Sequence, residues 1–215
     1  MASRAGPEPP RDCPLCPRLA AFRAEWRDAE PGWFNAPVPT FGSLDARLLI
    51  VGLAPGLHGA NRTGRPFTGD YAGELLYATM VKFAFATGSY DSRPDDGLLL
   101  ADAAITNAVR CVPPDNRPTP EEERTCRRFL TATLDRMPKL EAVLALGRVA
   151  HQNVLAAFNA PRAEYGFAHG AEHRIGPIVT VFDSFHCSRL NTNTGRLTTE
   201  MFEAVFARIR AHLPA

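Results

Sequence analysis

The chain has 215 residues, 45% hydrophobic and 22% charged, with 24 Lys and Arg against 23 Asp and Glu for a formal net charge of +1. That length suits one α/β domain with a proper core, and the composition excludes a generally disordered chain. A near-zero net charge supplies no global basic field, so any nucleic-acid binding has to come from a local patch.

Residues 1–10 read as a flexible tail without the apolar core of a signal peptide, which points to the cytoplasm. No run of about 20 apolar residues occurs, so no membrane contact is expected. The first 40 residues are Pro-rich and irregular, with one helix candidate at 16–28. Arg47-Leu-Leu-Ile-Val-Gly52 is a short apolar run with a glycine stop, the pattern of a buried strand. A Gly-dotted loop over 53–69 leads to a helix at 71–87, and 103–109 reads as a second strand. Thr119, Pro120 and Glu122 supply an N-cap, a first-turn proline and a capping box for a helix running to about Met137. A third strand at 141–147 is followed by a helix through Phe158. The fourth strand, 177–182, leads through a polar loop at 183–197 into a final helix at 198–212. This alternation predicts a single domain over 1–215, with a central, mainly parallel four-stranded sheet flanked by helices on both faces.

Ligands of open α/β sheets bind outside the carboxyl ends of the strands, and three polar features fall there. The first runs from Gly52, Leu53, Ala54, Pro55 and Gly56 through His58, Arg62, Arg65 and Phe67 to Asp70. The second is Asn107. The third runs from Phe185 and His186 through Arg189, Leu190, Asn191 and Arg196 to Leu197. Glycines admit close backbone approach, and the arginines offer charge to phosphates. Phe67 either stacks on a base or anchors its loop to the sheet. Neither a GxxxxGK[ST] nor a GxGxxG pattern is present, which excludes P-loop hydrolysis and disfavours a Rossmann dinucleotide site.

The five cysteines, at 13, 16, 111, 126 and 187, are an odd number, and a disulfide framework suits a reducing compartment poorly. Cys13 and Cys16 form a CxxC that Cys111 and Cys126 could complete as a four-thiolate set. Spacing alone leaves zinc, an iron–sulfur cluster and incidental thiols all open.

The stretches 52–56, 58–70 and 186–198 closely resemble the two motifs of the family 5 (type b) uracil-DNA glycosylases, and the resemblance extends from Cys13 to about Ile209. Family 4 enzymes share the cysteine pattern but usually carry an acidic residue after the first glycine of motif one, where this chain has Leu53. The resemblance implies a monofunctional enzyme that flips uracil, and other deaminated bases such as hypoxanthine, out of double- or single-stranded DNA and cuts the N-glycosidic bond. It implies a monomer and a [4Fe–4S] cluster on Cys13, Cys16, Cys111 and Cys126. His186 then donates a hydrogen bond to the developing base anion, Asn107 reads the base edge, and Phe67 stacks on the base. Gly52, Leu53, Ala54, Pro55, Gly56 and His58 form the pocket, His58 being equally readable as a backbone brace. Asp70 is the candidate for activating water, with a helix N-cap as its other reading. Arg62, Arg65, Arg189, Leu190, Asn191 and Arg196 are assigned to DNA, with Arg189 and Leu190 at the position of a wedge and Asn191 and Arg196 as phosphate contacts or loop braces. His151, His169, His173 and His212 read as ordinary. Two other functions fit parts of the pattern: a cluster-stapled DNA-binding protein without catalysis, and a hydrolase of free nucleosides or nucleotides.

Overall fold

Buried apolar runs build the centre of the sheet. In the computed structural model, which describes residues 6–213, the strands β2 (Leu48–Gly52), β5 (Ala103–Asn107) and β6 (Ala142–Leu146) are buried at every position. β8 (Val179–Ser184) is buried at all but its first residue. These four pair in parallel in the order β5-β2-β6-β8. Continuous burial follows from helices on both faces. Leu48 and Ile50 pack with α3 (Tyr71–Lys82) and α7 (Thr199–His212), through Leu76, Met80, Phe202 and Phe206. Leu49 and Val51, pointing the other way, pack with α4 (Pro120–Leu134) and α5 (Arg148–Ala157), through Leu130 and Val154. The capping box at Thr119 and Glu122 forms as the sequence predicts.

The sheet has six strands rather than the expected four. β1 (Phe41–Gly42) and β7 (Glu172–Ile175) add antiparallel edges to β5 and β8. Neither carries the apolar signature of a central strand, because an edge needs only one covered face. A separate two-stranded ribbon joins β3 (Ala86–Thr87) to β4 (Leu99–Leu100). It cuts α3 short of the expected residue 87: Ala84 turns to φ +58° so that Phe85 enters the core. The fourth strand lies two residues later than expected, since Gly176 (φ +65°) and Pro177 form the β7–β8 turn. Short helices α2 (Ala60–Thr63) and α6 (Arg189–Asn193) lie inside the two long polar loops, and α1 (Pro17–Ala29) follows the CxxC. The expected tail at 1–10 is tied down in its described part: Arg110 donates to the Pro7 carbonyl (3.2 Å) and the Glu8 carboxylate (2.9 Å). Residues 1–5 lie outside the described residues.

Candidate active site

β2 lies between β5 and β6, whose crossovers lead away in opposite directions, so the crevice opens over Gly52. Asn107 is the register partner of Gly52. A Cβ on Gly52 would stand 2.4 Å from Asn107 Oδ1 and 2.7 Å from Phe67 Cζ, so glycine here lets the carboxamide and the ring meet over the strand end. Above them lies a cavity of about 460 Å³, walled by the loop from Leu53 to Ala60 and by Phe67, Asp70, Asn107 and His186. All three sequence features therefore converge on one space.

Asn107 is 3% exposed, and its carboxamide has no hydrogen-bond partner among the described residues, which leaves a donor and an acceptor for a ligand. Phe67 holds φ +54°, an unusual conformation for a bulky side chain and one that collects at binding sites. Tyr90 Oη donates to the Phe67 carbonyl (3.1 Å) and accepts from Gly69 N–H (3.3 Å), while Tyr77 Oη donates to the Pro66 carbonyl (2.5 Å). The held ring lies 5.8 Å from the His186 ring, at an interplanar angle of 29°.

Asp70 caps α3 and also faces the cavity. Its Oδ1 accepts from Ala72 N–H (3.1 Å), while Oδ2 lies over Gly56 and Gly59, where added Cβ atoms would come within 3.1 and 2.4 Å of it. Gly56 thus leaves room for a carboxylate arriving from another part of the loop. Burial pushes the Asp70 pKa above its ordinary value, against two backbone N–H groups that favour the ion. His186 stands two residues past the end of β8, and burial pushes its pKa down to about 4, so the ring is neutral at physiological pH. Asn191 Nδ2 donates to the His186 carbonyl (2.8 Å), and the buried Cys187 thiol donates to the Ala72 carbonyl (3.4 Å), fixing the loop to the helix that Asp70 caps.

Several assigned residues lie elsewhere. Arg65 is corrected from a DNA contact to a structural cation. It is 5% exposed, and its guanidinium forks onto Asp96 (2.8 and 2.6 Å) among the rings of Phe41, Tyr77 and Tyr90. Of its two expected roles, phosphate contact or loop brace, Asn191 shows the brace, through its bond to the His186 carbonyl. His58 borders the cavity but is exposed and leans edge-on against Trp33 (5.4 Å). Arg62, Arg189 and Arg196 are exposed; Arg189 lies over Tyr71 (5.1 Å) and Arg196 over Phe185 (4.6 Å). Leu190, next to Arg189 on α6, is 73% exposed. Asn116 also lines the cavity, which sequence reading did not anticipate. It sits in a Pro-Pro-Asp-Asn turn where Asp115 and Asn116 both adopt positive φ, a turn signal visible in the sequence although its destination is not.

Cys13, Cys16, Cys111 and Cys126 line one small cavity with Leu19 and Phe129, and all are free thiols. Two cations enclose them. Arg23 donates to Cys111 Sγ (3.2 Å), and Arg110 donates its backbone N–H to Cys126 Sγ (3.3 Å). Both guanidiniums are buried, each with an Nε that has no partner among the described residues. Buried positive charge and N–H···S donors suit a site that holds thiolates. Burial first, and then the neighbouring cysteines, push the Cys16 and Cys111 thiols up to about 11 and about 12, so a bound metal has to displace their protons.

The sequence pattern of the Uracil DNA glycosylase superfamily matches residues 39–210. A type-5 uracil-DNA glycosylase of Thermus thermophilus is 46% identical over 197 residues, covering 88% of this chain and 89% of its own. The type-5 enzyme of Pyrobaculum aerophilum is 40% identical over 204 residues, 93% and 88% of the two chains. A type-4 enzyme of Thermotoga maritima is 37% identical over 110 residues, covering 51% of this chain and 49% of its own. With the motifs on one cavity and the match running across most of its length, the chain belongs to the uracil-DNA glycosylase superfamily, alongside its type-5 members.

Proposed function

We propose that this protein flips uracil out of DNA and hydrolyses its N-glycosidic bond, leaving an abasic site. The convergence of Phe67, Asn107, Asp70 and His186 on one cavity at the sheet's switch point carries the reading. An extruded base needs a π-face, an edge reader and a partner for the charge it gathers as the bond breaks. Phe67 supplies the face, and the Asn107 carboxamide pairs with the edge of uracil.

Bond cleavage leaves negative charge on the base and positive charge on the sugar. A neutral His186 donates one hydrogen bond to the base oxygen, an oxyanion role whose removal typically costs about 10²–10³ in rate. Its depressed pKa keeps it from protonating the base outright and suits it to donate a hydrogen bond. Asp70 Oδ2 faces the opposite need: as a carboxylate it stabilises the cationic sugar and orients the water that completes hydrolysis. The cavity volume falls in the range of small-molecule pockets and leaves room for the two rings of hypoxanthine. Exposed Arg62, Arg189 and Arg196 meet backbone phosphates, and Leu190 fills the gap left in a duplex. One chain supplies every group, which suits a monomer.

The same reading assigns a [4Fe–4S] cluster to Cys13, Cys16, Cys111 and Cys126, supported by the buried cations and N–H···S donors around them. When bound, the cluster supplies a covalent tie and no chemistry at the base. It joins the N-terminal segment to α4 and to the turn that carries Asn116.

The test is purified protein on a labelled oligonucleotide with a single uracil, followed by alkali to break abasic sites. Cleavage at the uracil that His186→Ala abolishes, with no release from free deoxyuridine, supports the reading. DNA binding without release of uracil, hypoxanthine or xanthine leaves a binding protein on this fold, and release from free deoxyuridine makes it a nucleoside hydrolase.

A further inference from the structure

On the far side of His186 lies a second cavity, also about 460 Å³, bordered by Arg148, Phe167, His169, Phe185 and Arg196. Apart from His186, which the two cavities share, and Arg196, assigned above to a phosphate, its groups take no part in the chemistry above, but one of them touches the chain next to His186. The β8 ladder ends at Ser184, so Phe185 carries the first backbone N–H beyond the sheet. That N–H donates to His169 Nδ1 (3.2 Å), and the His169 ring lies nearly parallel to the Phe185 ring, 5.0 Å away at 21°. We propose that His169 is a positioning residue for His186, holding the Phe185 amide through an Nδ1 that carries a lone pair. The role rests on the glycosylase reading, since it acts on the hydrogen bond His186 gives to the base.

An imidazole nitrogen that accepts from an amide cannot itself bear a proton, so the His169 hydrogen belongs on Nε2. The segment bearing His169 is rigid enough to impose a position. Gly170 N–H donates to the Asp183 carbonyl (2.8 Å), and Asp183 N–H donates to the Ala171 carbonyl (2.9 Å). The buried Asp183 carboxylate is gripped by His151 Nδ1 (2.8 Å) and His173 Nε2 (3.0 Å), and His151 Nε2 meets the Tyr165 carbonyl (3.0 Å). The histidines that look unremarkable in the sequence thus form one clasp around the end of β8, and His169 is its contact with the catalytic loop.

Protonation of His169 converts Nδ1 from acceptor to donor and sets two N–H groups against each other. Burial holds its pKa below the usual histidine value, and Arg208 of α7 acts in the same direction. The other charged groups around it are Glu172 of β7, paired with Arg208 (3.1 Å), Asp183 of β8 with its two histidines, Arg148 of α5, and Arg196 of the loop after α6. At neutral pH the clasp is closed.

The experiment compares His169→Phe, which keeps a ring on Phe185 but has no acceptor, with His169→Gln, whose side-chain carbonyl can accept. Single-turnover excision of uracil is measured at saturating enzyme, alongside affinity for an abasic oligonucleotide and the ¹⁵N tautomer spectrum of wild-type His169. The expected result is a loss of about 10- to 100-fold in rate for His169→Phe at unchanged affinity, as for a small misplacement of a catalytic group. His169→Gln recovers most of it, and the spectrum shows an unprotonated Nδ1. An unchanged rate in His169→Phe overturns the proposal, as does equal slowness of both variants, which would mark a merely structural ring. If His169→Phe does not fold, a protonated Nδ1 in the wild type overturns it alone. A wild type that excises nothing overturns the glycosylase reading and the positioning role together, whereas an active wild type with an indifferent His169 overturns only the role.

Discussion

The two oxygens of Asp70 can be separated by two substitutions. Asp70→Asn keeps an acceptor for Ala72 N–H and replaces only the oxygen over Gly56 and Gly59; Asp70→Ala removes both. Loss of an N-cap to alanine costs about 0.5–2 kcal/mol, whereas Asn caps as well as Asp. In a chain of this length about 1 kcal/mol moves Tm by roughly 2–4 °C, so Asp70→Ala melts a few degrees lower. The sign for Asn follows from linkage. Burial raises the Asp70 pKa on folding, so its ionised form costs stability above the folded pKa, and that cost disappears as pH falls below the unfolded value of 3.8. Asp70→Asn removes the cost and keeps the cap, so at neutral pH it melts at or above the wild type. Its excision rate should nonetheless fall by about 10²-fold, the low end for losing a positioned acid–base group. The wild-type rate falls on the acid side as Asp70 takes up its proton; in Asp70→Asn that limb is gone, and the residual rate stays flat until His186 titrates, at about pH 4. Thermal melts and single-turnover excision across pH decide the matter. Wild-type rate in a folded Asp70→Asn would refute the reasoning and leave Asp70 a helix cap.

Arg62→Ala and Arg65→Ala, although three residues apart, should differ in kind. Arg65→Ala strands buried Asp96, whose carboxyl the Arg65 fork holds well below the usual range, and costs about 3–5 kcal/mol of stability. Arg62→Ala leaves stability alone and reduces the salt dependence of DNA binding by about one unit of slope; a salt slope altered by Arg65→Ala would contradict the burial argument. Gly52→Ala drives a Cβ between Asn107 and Phe67, and overpacking of about 1–3 kcal/mol, concentrated at the base site, should appear as lost excision on uracil. Normal kinetics for that variant would mean that the two side chains do not meet the base together. Cys16→Ser should abolish bound iron and the brown colour and lower Tm, whereas metal analysis finding zinc instead would replace the cluster while keeping the ligand set. Leu190→Ala should slow excision from duplex and spare single strands, where no gap needs filling; equal losses on both would remove the wedge role.

The sequence by itself determined the parallel centre of the sheet, because strands covered on both faces must be apolar throughout, and the runs at Leu48–Gly52 and Ala142–Leu146 are. It determined the start of α4, because capping is chemistry between residues three apart. It also brought Gly52, Asn107, Asp70 and His186 to one edge of the sheet, since each follows or ends a strand, although the family resemblance supplied their roles. The tertiary structure decided what depends on distant loops meeting. Arg62 and Arg65 look alike in a basic loop, and only the ribbon that delivers Asp96 makes one a buried structural cation and leaves the other at the surface. The cap and the cavity-facing oxygen of Asp70 became compatible only through the glycine surface at Gly56 and Gly59. The edge strands β1 and β7 went unread because a short edge buries too little to impose an apolar pattern. His151, His169 and His173 carry no local signal at all: a histidine takes its role from which acceptors and donors the fold sets against each ring nitrogen, and here those come from β8 and the turns around it.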